Sequence, residues 1–292
     1  MTRIAPSLLE ALVDDAGLFP PEQLPMDAAL ARHRADEATG HLMLTQRFLC
    51  PASRLAEMRS RLEGGDRIRL GLVLDTGLAG LEAALEESAS DSRLVLEAVE
   101  VPWPVGPGGT GPSPGAAAGA VAEALEALAG VPVPAYLEGP RDPGWLPELG
   151  RWTGPPDRRA KIRCGGSGPE HFPSPDELAA FMHAAWRAGV TFKASAGLHH
   201  AVRAHDPRTG LVHHGYLNLL VAAARVVDGS PVADVAQILE ATEADEVTAQ
   251  AAAVSPELAK RARGFFVAYG SCSTSEPIED VDALGLLAGE PA

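Results

Sequence analysis

The chain has 292 residues, of which 46% are hydrophobic and 22% charged, a length and balance typical of a globular protein with a sizeable core. Its formal net charge of −15 argues against nucleic acid or an anionic membrane as partner, since both bind basic surfaces, and no apolar run approaches the roughly 20 residues that cross a bilayer. Three cysteines without CxxC spacing fit a reducing compartment, so we expect a cytoplasmic protein.

The first forty residues are predicted to be mainly helical. A short amphipathic helix is expected over residues 5–16 and a second over 26–38, with the loop 14–21 between them. In this loop Phe19 precedes two prolines and would pin the backbone. The loop is either an ordinary helix stop anchored by Phe19 or a device that places Asp15 to bind substrate.

From residue 41 onward, short apolar runs alternate with amphipathic stretches, at lengths typical of parallel α/β proteins. Ser174 and Glu177 form a capping-box pattern at the start of one predicted helix. A Gly- and Pro-rich segment over 103–115 is expected to be a flexible loop. The predicted strands cover 41–49, 66–75, 92–102, 131–140, 158–166, 190–196 and 264–270.

Two packings of these units are compatible with the pattern, an open doubly wound sheet and a closed barrel. The fingerprint GxGxxG and the Walker sequence GxxxxGK[ST] are absent, which makes nucleotide binding less favoured. Polar residues at the carboxyl ends of consecutive strands favour the barrel. We predict one α/β domain over 1–292, an irregular (β/α)8 TIM-like barrel with an N-terminal helical extension over 1–40.

The strand V-T-F-K-A-S-A carries the clearest functional signal. Alternation places Lys193 and Ser195 on one side of this strand and its apolar residues on the other. The chain contains only three lysines, Lys161, Lys193 and Lys260, and the first two lie in predicted strands. Because a lysine is costly to bury unless it is paired or functional, Lys193 is the leading catalytic candidate.

Neighbouring strand ends supply partners for Lys193. Glu138 would form an acid–base pair with Lys161 or Lys193 across adjacent strands, and Arg163 would hold an anionic group of a substrate. Glu97 and Glu100 lie at odd spacing in one strand, so we expect at most one of them to point inward.

The motif F-K-A-S-A-G-L locally resembles the Schiff-base strand of deoxyribose-phosphate-aldolase-type class I aldolases, over about a dozen residues. The resemblance implies that Lys193 forms a Schiff base with a substrate carbonyl, that Ser195 is its polar neighbour and that Gly197 lets the substrate approach. This chain departs from the family in the order of its lysines. The family's second lysine follows on the next strand, whereas Lys161 lies on the strand before.

Histidines offer a competing interpretation. His199 and His200 end the Lys193 strand and could move protons or bind substrate, and His214 follows after a short loop. Together with Cys164 these side chains could hold zinc or another divalent ion, although no familiar ligand spacing is present.

The sequence thus predicts an enzyme that acts on a small anionic carbonyl compound as a carbon–carbon lyase of aldolase type, without a cofactor. The alternatives are a metal-dependent hydrolase or isomerase and a non-catalytic small-molecule binding protein. A small-molecule partner is expected in each case, with neither nucleic acid nor membrane, and a homo-oligomer is left open.

Overall fold

The computed structural model describes residues 3–103, 114–140, 143–152, 157–207 and 209–287. Eight parallel strands close into a barrel in the order β1-β2-β3-β4-β5-β6-β7-β10, which confirms the predicted (β/α)8 TIM-like architecture. The barrel strands are β1 (Val13–Asp15), β2 (Leu44–Pro51), β3 (Ile68–Val73), β4 (Leu94–Val101), β5 (Ala135–Glu138), β6 (Arg158–Arg163), β7 (Phe192–Ser195) and β10 (Phe266–Ser271). Two further strands, β8 (Ala204–Asp206) and β9 (Leu211–His213), form a separate two-stranded sheet.

Helices surround the barrel, and four of them follow one another between β9 and β10. Their bounds are α1 (Met26–Thr39), α2 (Leu55–Arg61), α3 (Leu81–Ala89), α4 (Pro114–Ala127), α5 (Pro175–Arg187), α6 (Tyr216–Val227), α7 (Val232–Glu240), α8 (Ala244–Ala252), α9 (Pro256–Phe265) and α10 (Ser275–Ala283). The predicted capping box starts α5, where Glu177 N donates to Ser174 Oγ (3.1 Å). No helix in the described ranges has both the length and the apolar character needed to cross a bilayer.

Strand alternation sorts the barrel into an apolar outside and a charged inside. In β7 Phe192 faces outward, and its ring packs edge-on against Phe181 of α5 (5.3 Å between centroids) and Phe265 of α9 (4.9 Å). Lys193, the next residue, therefore points into the barrel. The main apolar core lies between the strands and the helices, as expected when both faces of a parallel sheet are covered.

The N-terminal segment differs from its prediction. Residues 5–16 contain only a short 3-10 helix over Pro6–Leu8, and Val13–Asp15 form β1, which pairs with β2 and β10. The described part of this segment, residues 3–40, therefore belongs to the barrel and is not a helical extension, although α1 does cover most of its second half. A three-residue strand is too short to display alternation, so the leucines before it dominated the pattern.

Two other regions complete the comparison. An antiparallel hairpin of β8 and β9, which the sequence pattern did not indicate, precedes α6, and the helix begins at Tyr216. The loop predicted over 103–115 lies mostly outside the described residues, and α4 already begins at Pro114.

Candidate functional site

Lys193 occupies the centre of the barrel. It is 0% exposed, and its Nζ donates to Asp14 Oδ2 of β1 and to Glu100 Oε1 of β4. Its Nζ also lies 5.4 Å from the ring centroid of Tyr136 on β5, a cation–π distance. One ammonium group thus joins strands from opposite parts of the barrel.

Lys161 lies beside Lys193 on β6, in direct register with it. Its Nζ is 2.8 Å from Glu100 Oε2 and 3.4 Å from Glu138 Oε2, so the two lysines share Glu100. Arg163 Nε donates to Glu138 Oε1 (3.0 Å) at the carboxyl end of the same strand, and 40% of the Arg163 side chain is exposed. The predicted grouping of Lys161, Arg163, Glu138 and Lys193 is therefore present.

The chain of charges continues on the other side of Asp14. Arg47 of β2 contacts Asp14 Oδ1 (3.0 Å) and Glu97 Oε2 (3.3 Å), and Glu97 Oε1 accepts from Arg69 Nε (2.6 Å). Five cationic and four anionic side chains therefore alternate without a break. In order they are Arg69, Glu97, Arg47, Asp14, Lys193, Glu100, Lys161, Glu138 and Arg163.

This chain crosses the barrel from one end to the other. Arg69 lies near the start of β3, and Arg163 is the last residue of β6. Because all barrel strands are parallel, Arg69 lies toward the amino-terminal face and Arg163 at the carboxyl-terminal mouth. The side chains of this ion-pair chain, five cations and four anions, have a formal charge of +1 together, in a protein whose total is −15.

The mutual contacts fix the charge states of the central groups. Burial alone would raise the pKa of Glu100, but the ammonium groups of Lys161 and Lys193 outweigh it and lower that pKa from 4.5 to about 2. Burial alone would lower the pKa of Lys193, whereas the carboxylates of Asp14 and Glu100 raise it above its ordinary value. Glu100 is thus an anion and Lys193 a cation at neutral pH.

A bulge explains why both glutamates of β4 join the network. Leu70 of β3 pairs with Leu96 and Gly71 pairs with Ala98, so Glu97 is an extra residue in β4. The extra residue resets the alternation of the strand. The expectation that at most one of Glu97 and Glu100 would point inward was therefore wrong.

Ser195 lies at the mouth of the barrel. It is in register with Arg163 and with Gly270 of β10, two residues beyond Lys193 on β7. Its Oγ is buried without a hydrogen-bond partner among the described residues. A buried hydroxyl without a partner is uncommon and is accounted for if a ligand completes its bonding.

The opposite side of the mouth is apolar. Ala16, Leu49 and Val73 form a small buried cluster, and Phe19 from the loop after β1 packs against it. A methyl group placed on Gly270 would lie 3.1 Å from Leu49 and 3.7 Å from Ala16, so these side chains reach across toward β10. The mouth therefore has a charged half at β5–β7 and an apolar half at β1–β3.

His199 and His200 lie beyond the end of β7, where each contacts an acidic side chain. His199 Nδ1 is 3.0 Å from Glu276 Oε2 and 3.9 Å from Cys272 Sγ. His200 Nδ1 is 3.3 Å from Asp280 Oδ2 and its side chain is 56% exposed. The structure pairs both histidines with acidic residues of α10.

The predicted metal ligands are not brought together. His214 has both ring nitrogens occupied, with Nε2 2.7 Å from Pro173 O and Nδ1 3.1 Å from Arg203. Cys164 is fully buried, and burial raises the pKa of its thiol to about 12. In the described ranges, no three or more side chains of His, Cys, Asp and Glu form a group that could hold a metal ion.

Asp15 points away from the barrel interior, in contrast to Asp14. Its carboxylate accepts from Gly17 N (3.0 Å) and Arg32 Nη2 (2.5 Å) and lies 3.3 Å from His33 Nδ1. Asp15 thus holds the loop that carries Phe19 against α1, and the structure does not place it with the lysines.

Sequence reasoning missed Asp14, which lay in a stretch predicted to be the end of a helix. The available signal was the pair Asp14–Asp15 behind an apolar run, because two successive buried acids must point to opposite sides of a strand.

Comparison with protein-family models, curated proteins and solved structures gives no significant match to this chain. The function therefore has to be argued from the site itself.

Proposed function

We propose that this protein is an enzyme of the carbon–carbon lyase type, in which a barrel lysine forms a Schiff base with a small anionic carbonyl compound. The observation that supports the proposal is the pair of neighbouring lysines that share Glu100 inside a barrel, next to Glu138 and Arg163 at its mouth. Ion pairs this deeply buried are costly for stability, which favours a functional reason for them.

Accessibility decides which lysine reacts. Lys193 is 0% exposed and is held as a cation between two carboxylates, and a protonated amine is not a nucleophile. Lys161 is 5% exposed and contacts Glu138, which lies at the mouth. We therefore assign the Schiff base to Lys161, in place of Lys193 as the sequence resemblance implied, and assign to Lys193 the role of a fixed positive charge.

Glu138 is suited to move protons. Its Oε2 is buried without a hydrogen-bond partner among the described residues and lies 3.4 Å from Lys161 Nζ. In the proposed reaction Glu138 first accepts a proton from the Lys161 ammonium, and the neutral amine adds to the carbonyl carbon. Glu138 returns that proton to the carbinolamine hydroxyl, which leaves as water, so that a protonated imine remains beside the Glu138 carboxylate. Glu138 then accepts the proton of the β-hydroxyl group as the adjacent carbon–carbon bond breaks and its electrons pass into the imine.

The return of that proton from Glu138 to the enamine carbon, followed by hydrolysis of the imine, restores the Lys161 amine.

Arg163 and Ser195 would bind the substrate. The ion-pair chain has one more cation than anion, and Arg163 is its last member at the mouth. A carboxylate or phosphate of the substrate would neutralise the excess positive charge there. The Ser195 hydroxyl would form a hydrogen bond with a substrate oxygen.

The three cysteines are all free, and on this ground we place the enzyme in the cytoplasm.

Borohydride trapping tests the proposal directly, because the chain contains only three lysines, Lys161, Lys193 and Lys260. The protein is incubated with small aldehydes and 2-oxo acids, reduced, digested and analysed by mass spectrometry. We expect a stoichiometric adduct on Lys161 that is lost in K161M and retained in K260M, the matched control outside the barrel. An adduct on Lys193 would restore the assignment from sequence, and adducts only on Lys260 or the amino terminus would contradict the proposed function.

A further inference from the structure

A second polar cluster lies outside the barrel, between α1, the first two strands and the segment after β10. It surrounds a small cavity with room for about one water molecule or one metal ion. The polar side chains of its lining are Asp15, His33, Asp36, Gln46 and Thr274. None of them belongs to the ion-pair chain of the barrel, so the cavity has a separate role.

His33 lines this cavity and has one ring nitrogen without a partner. The residue is 1% exposed, and its Nδ1 lies 3.3 Å from Asp15 Oδ2. The Asp15 carboxylate also accepts from Gly17 N and Arg32 Nη2, so Nδ1 is the ring nitrogen that faces an acceptor. The other ring nitrogen, Nε2, is buried without a hydrogen-bond partner in the described chain.

Gln46 presents an oxygen to the same cavity from a strained backbone. Its φ is +59°, in the left-handed region that residues other than glycine rarely adopt. It lies where the register between β1 and β2 shifts, between the pairs Val13–Leu44 and Asp15–Phe48. Gln46 Oε1 is buried, and no described residue hydrogen-bonds to it. Strain that aims an unpartnered polar group at a cavity is typical of binding sites.

Asp36 adds a negative charge. Its Oδ2 accepts from Thr274 Oγ1 (2.7 Å), which fixes the orientation of the carboxylate. The guanidinium of Arg32 is occupied by Asp15 and Glu22. The cavity thus offers two unpartnered acceptors and a carboxylate, an arrangement that selects a cation.

We propose that this cavity binds one divalent transition-metal ion through His33 Nε2, the Asp36 carboxylate and Gln46 Oε1, with water completing the shell. The carboxylate of Asp15 on the far side of the His33 ring orients the ligand, as is usual for metal-bound histidines. One imidazole with two oxygen donors suits Zn²⁺, Co²⁺ or Mn²⁺ better than Mg²⁺ or Ca²⁺. The ion would fasten α1 to β2 and to the segment after β10.

Titration of the untagged, chelator-treated protein with Zn²⁺ tests this site. Calorimetry should show one equivalent bound, and Co²⁺ should give a visible absorption band that Zn²⁺ removes. D36N removes the charge and Q46G removes the amide oxygen while relieving the positive φ, so both should fold and each should weaken binding by at least about tenfold. H205A, which removes an exposed histidine of the β8–β9 hairpin, is the control and should bind normally.

Thermal unfolding gives an independent readout. Saturating Zn²⁺ should raise the Tm of the wild type and of H205A, because an ion bound only to the folded state stabilises it, and should leave D36N unchanged. Absence of binding heat and of a Tm shift at a hundredfold excess of Zn²⁺, as expected of a cavity that holds only water, would overturn the proposal. Wild-type affinity in both D36N and Q46G would overturn it equally.

Discussion

Lys161 and Lys193 are in register on adjacent strands, but they differ in how deeply their ion pairs are buried. Lys193 and its partner Asp14 are both 0% exposed, whereas Lys161 is 5% and its second partner Glu138 6% exposed. The loss of one partner from an ion pair costs more in a medium of low polarity. We therefore expect Lys193 to contribute more to the folded state, while Lys161 is the lysine that the proposed reaction uses.

We expect K193M to lower the free energy of unfolding by about 3 to 5 kcal/mol. The same substitution at Lys161 should lower it by only about 1 to 2 kcal/mol, because Lys161 and Glu138 lie closer to solvent than Lys193 and Asp14. Urea denaturation at pH 7 measures both variants against the wild type. Equal losses would mean that the two lysines are equivalent ion-pair partners, and the division of roles between them would fail.

At the scale of elements, one arginine closes the amino-terminal end of the barrel. Arg263 of α9 is partly buried. Its Nη2 donates to the carbonyl oxygens of Glu10 (3.0 Å), Ala11 (2.9 Å) and Val267 (2.8 Å), and its Nη1 donates to that of Phe266. Burial lowers the pKa of this guanidinium to about 10. The contacts join the segment before β1 to β10, the two strands that complete the circle.

Replacing Arg263 by lysine should destabilise the protein by about 3 kcal/mol, because hydrogen bonds of charged groups contribute roughly 1.5 to 3 kcal/mol each and one ammonium cannot reach four carbonyls. R61A is the control. Arg61 pairs with Asp27 on the surface, with 51% and 67% of the two side chains exposed, so its loss should change stability by less than about 1 kcal/mol. Chemical denaturation compares them, and a loss in R263K no larger than in R61A would contradict the proposed closure.

Element length determined which parts of the fold the sequence could predict. Strands of six to eight residues such as Leu44–Pro51 and Ile68–Val73 alternate or run apolar for long enough to be recognised. Val13–Asp15 has three residues, and the β8–β9 hairpin is mostly exposed and has no apolar face. Both elements depend on tertiary pairing rather than on local pattern, so the sequence alone did not identify them.

The site was predictable where alternation was regular. Lys193, Ser195, Lys161 and Glu138 all face the interior, as period two requires. Glu97 could not be placed, because a bulge in β4 is not visible in the sequence. The choice between Lys161 and Lys193 also needed the structure, since burial of a side chain depends on which strands close the barrel around it.

At the scale of the whole molecule, a strongly acidic protein encloses a cationic site. Burial makes this separation effective, because surface charges are screened by salt beyond about 10 Å whereas charges inside the barrel are screened much less. The net charge of the whole protein therefore does not indicate the charge of the site inside the barrel. The stability of the molecule in acid depends on its buried titrating groups in the same way.

His214 shows how one such group sets the response to acid. It is 1% exposed, and burial lowers its pKa from 6.5 to about 4, although its bond to the carbonyl of Pro173 opposes the shift. Between these two pH values the unfolded chain binds a proton that the folded chain excludes. The contribution of neutral His214 to the free energy of unfolding is therefore fully present above about pH 6.5 and is lost as the pH falls to about 4.

The variant H214Q isolates this contribution, since glutamine can donate to Pro173 and accept from Arg203 but does not titrate. Between pH 7 and pH 4 the wild type should lose up to about 3 kcal/mol more unfolding free energy than H214Q. Urea denaturation at pH 7, 5.5 and 4 measures the difference. The further loss that follows protonation of Glu100, from pH 4.5 down to about 2, is common to both proteins. Parallel curves from pH 7 to 4 would show that His214 is not held neutral by the fold.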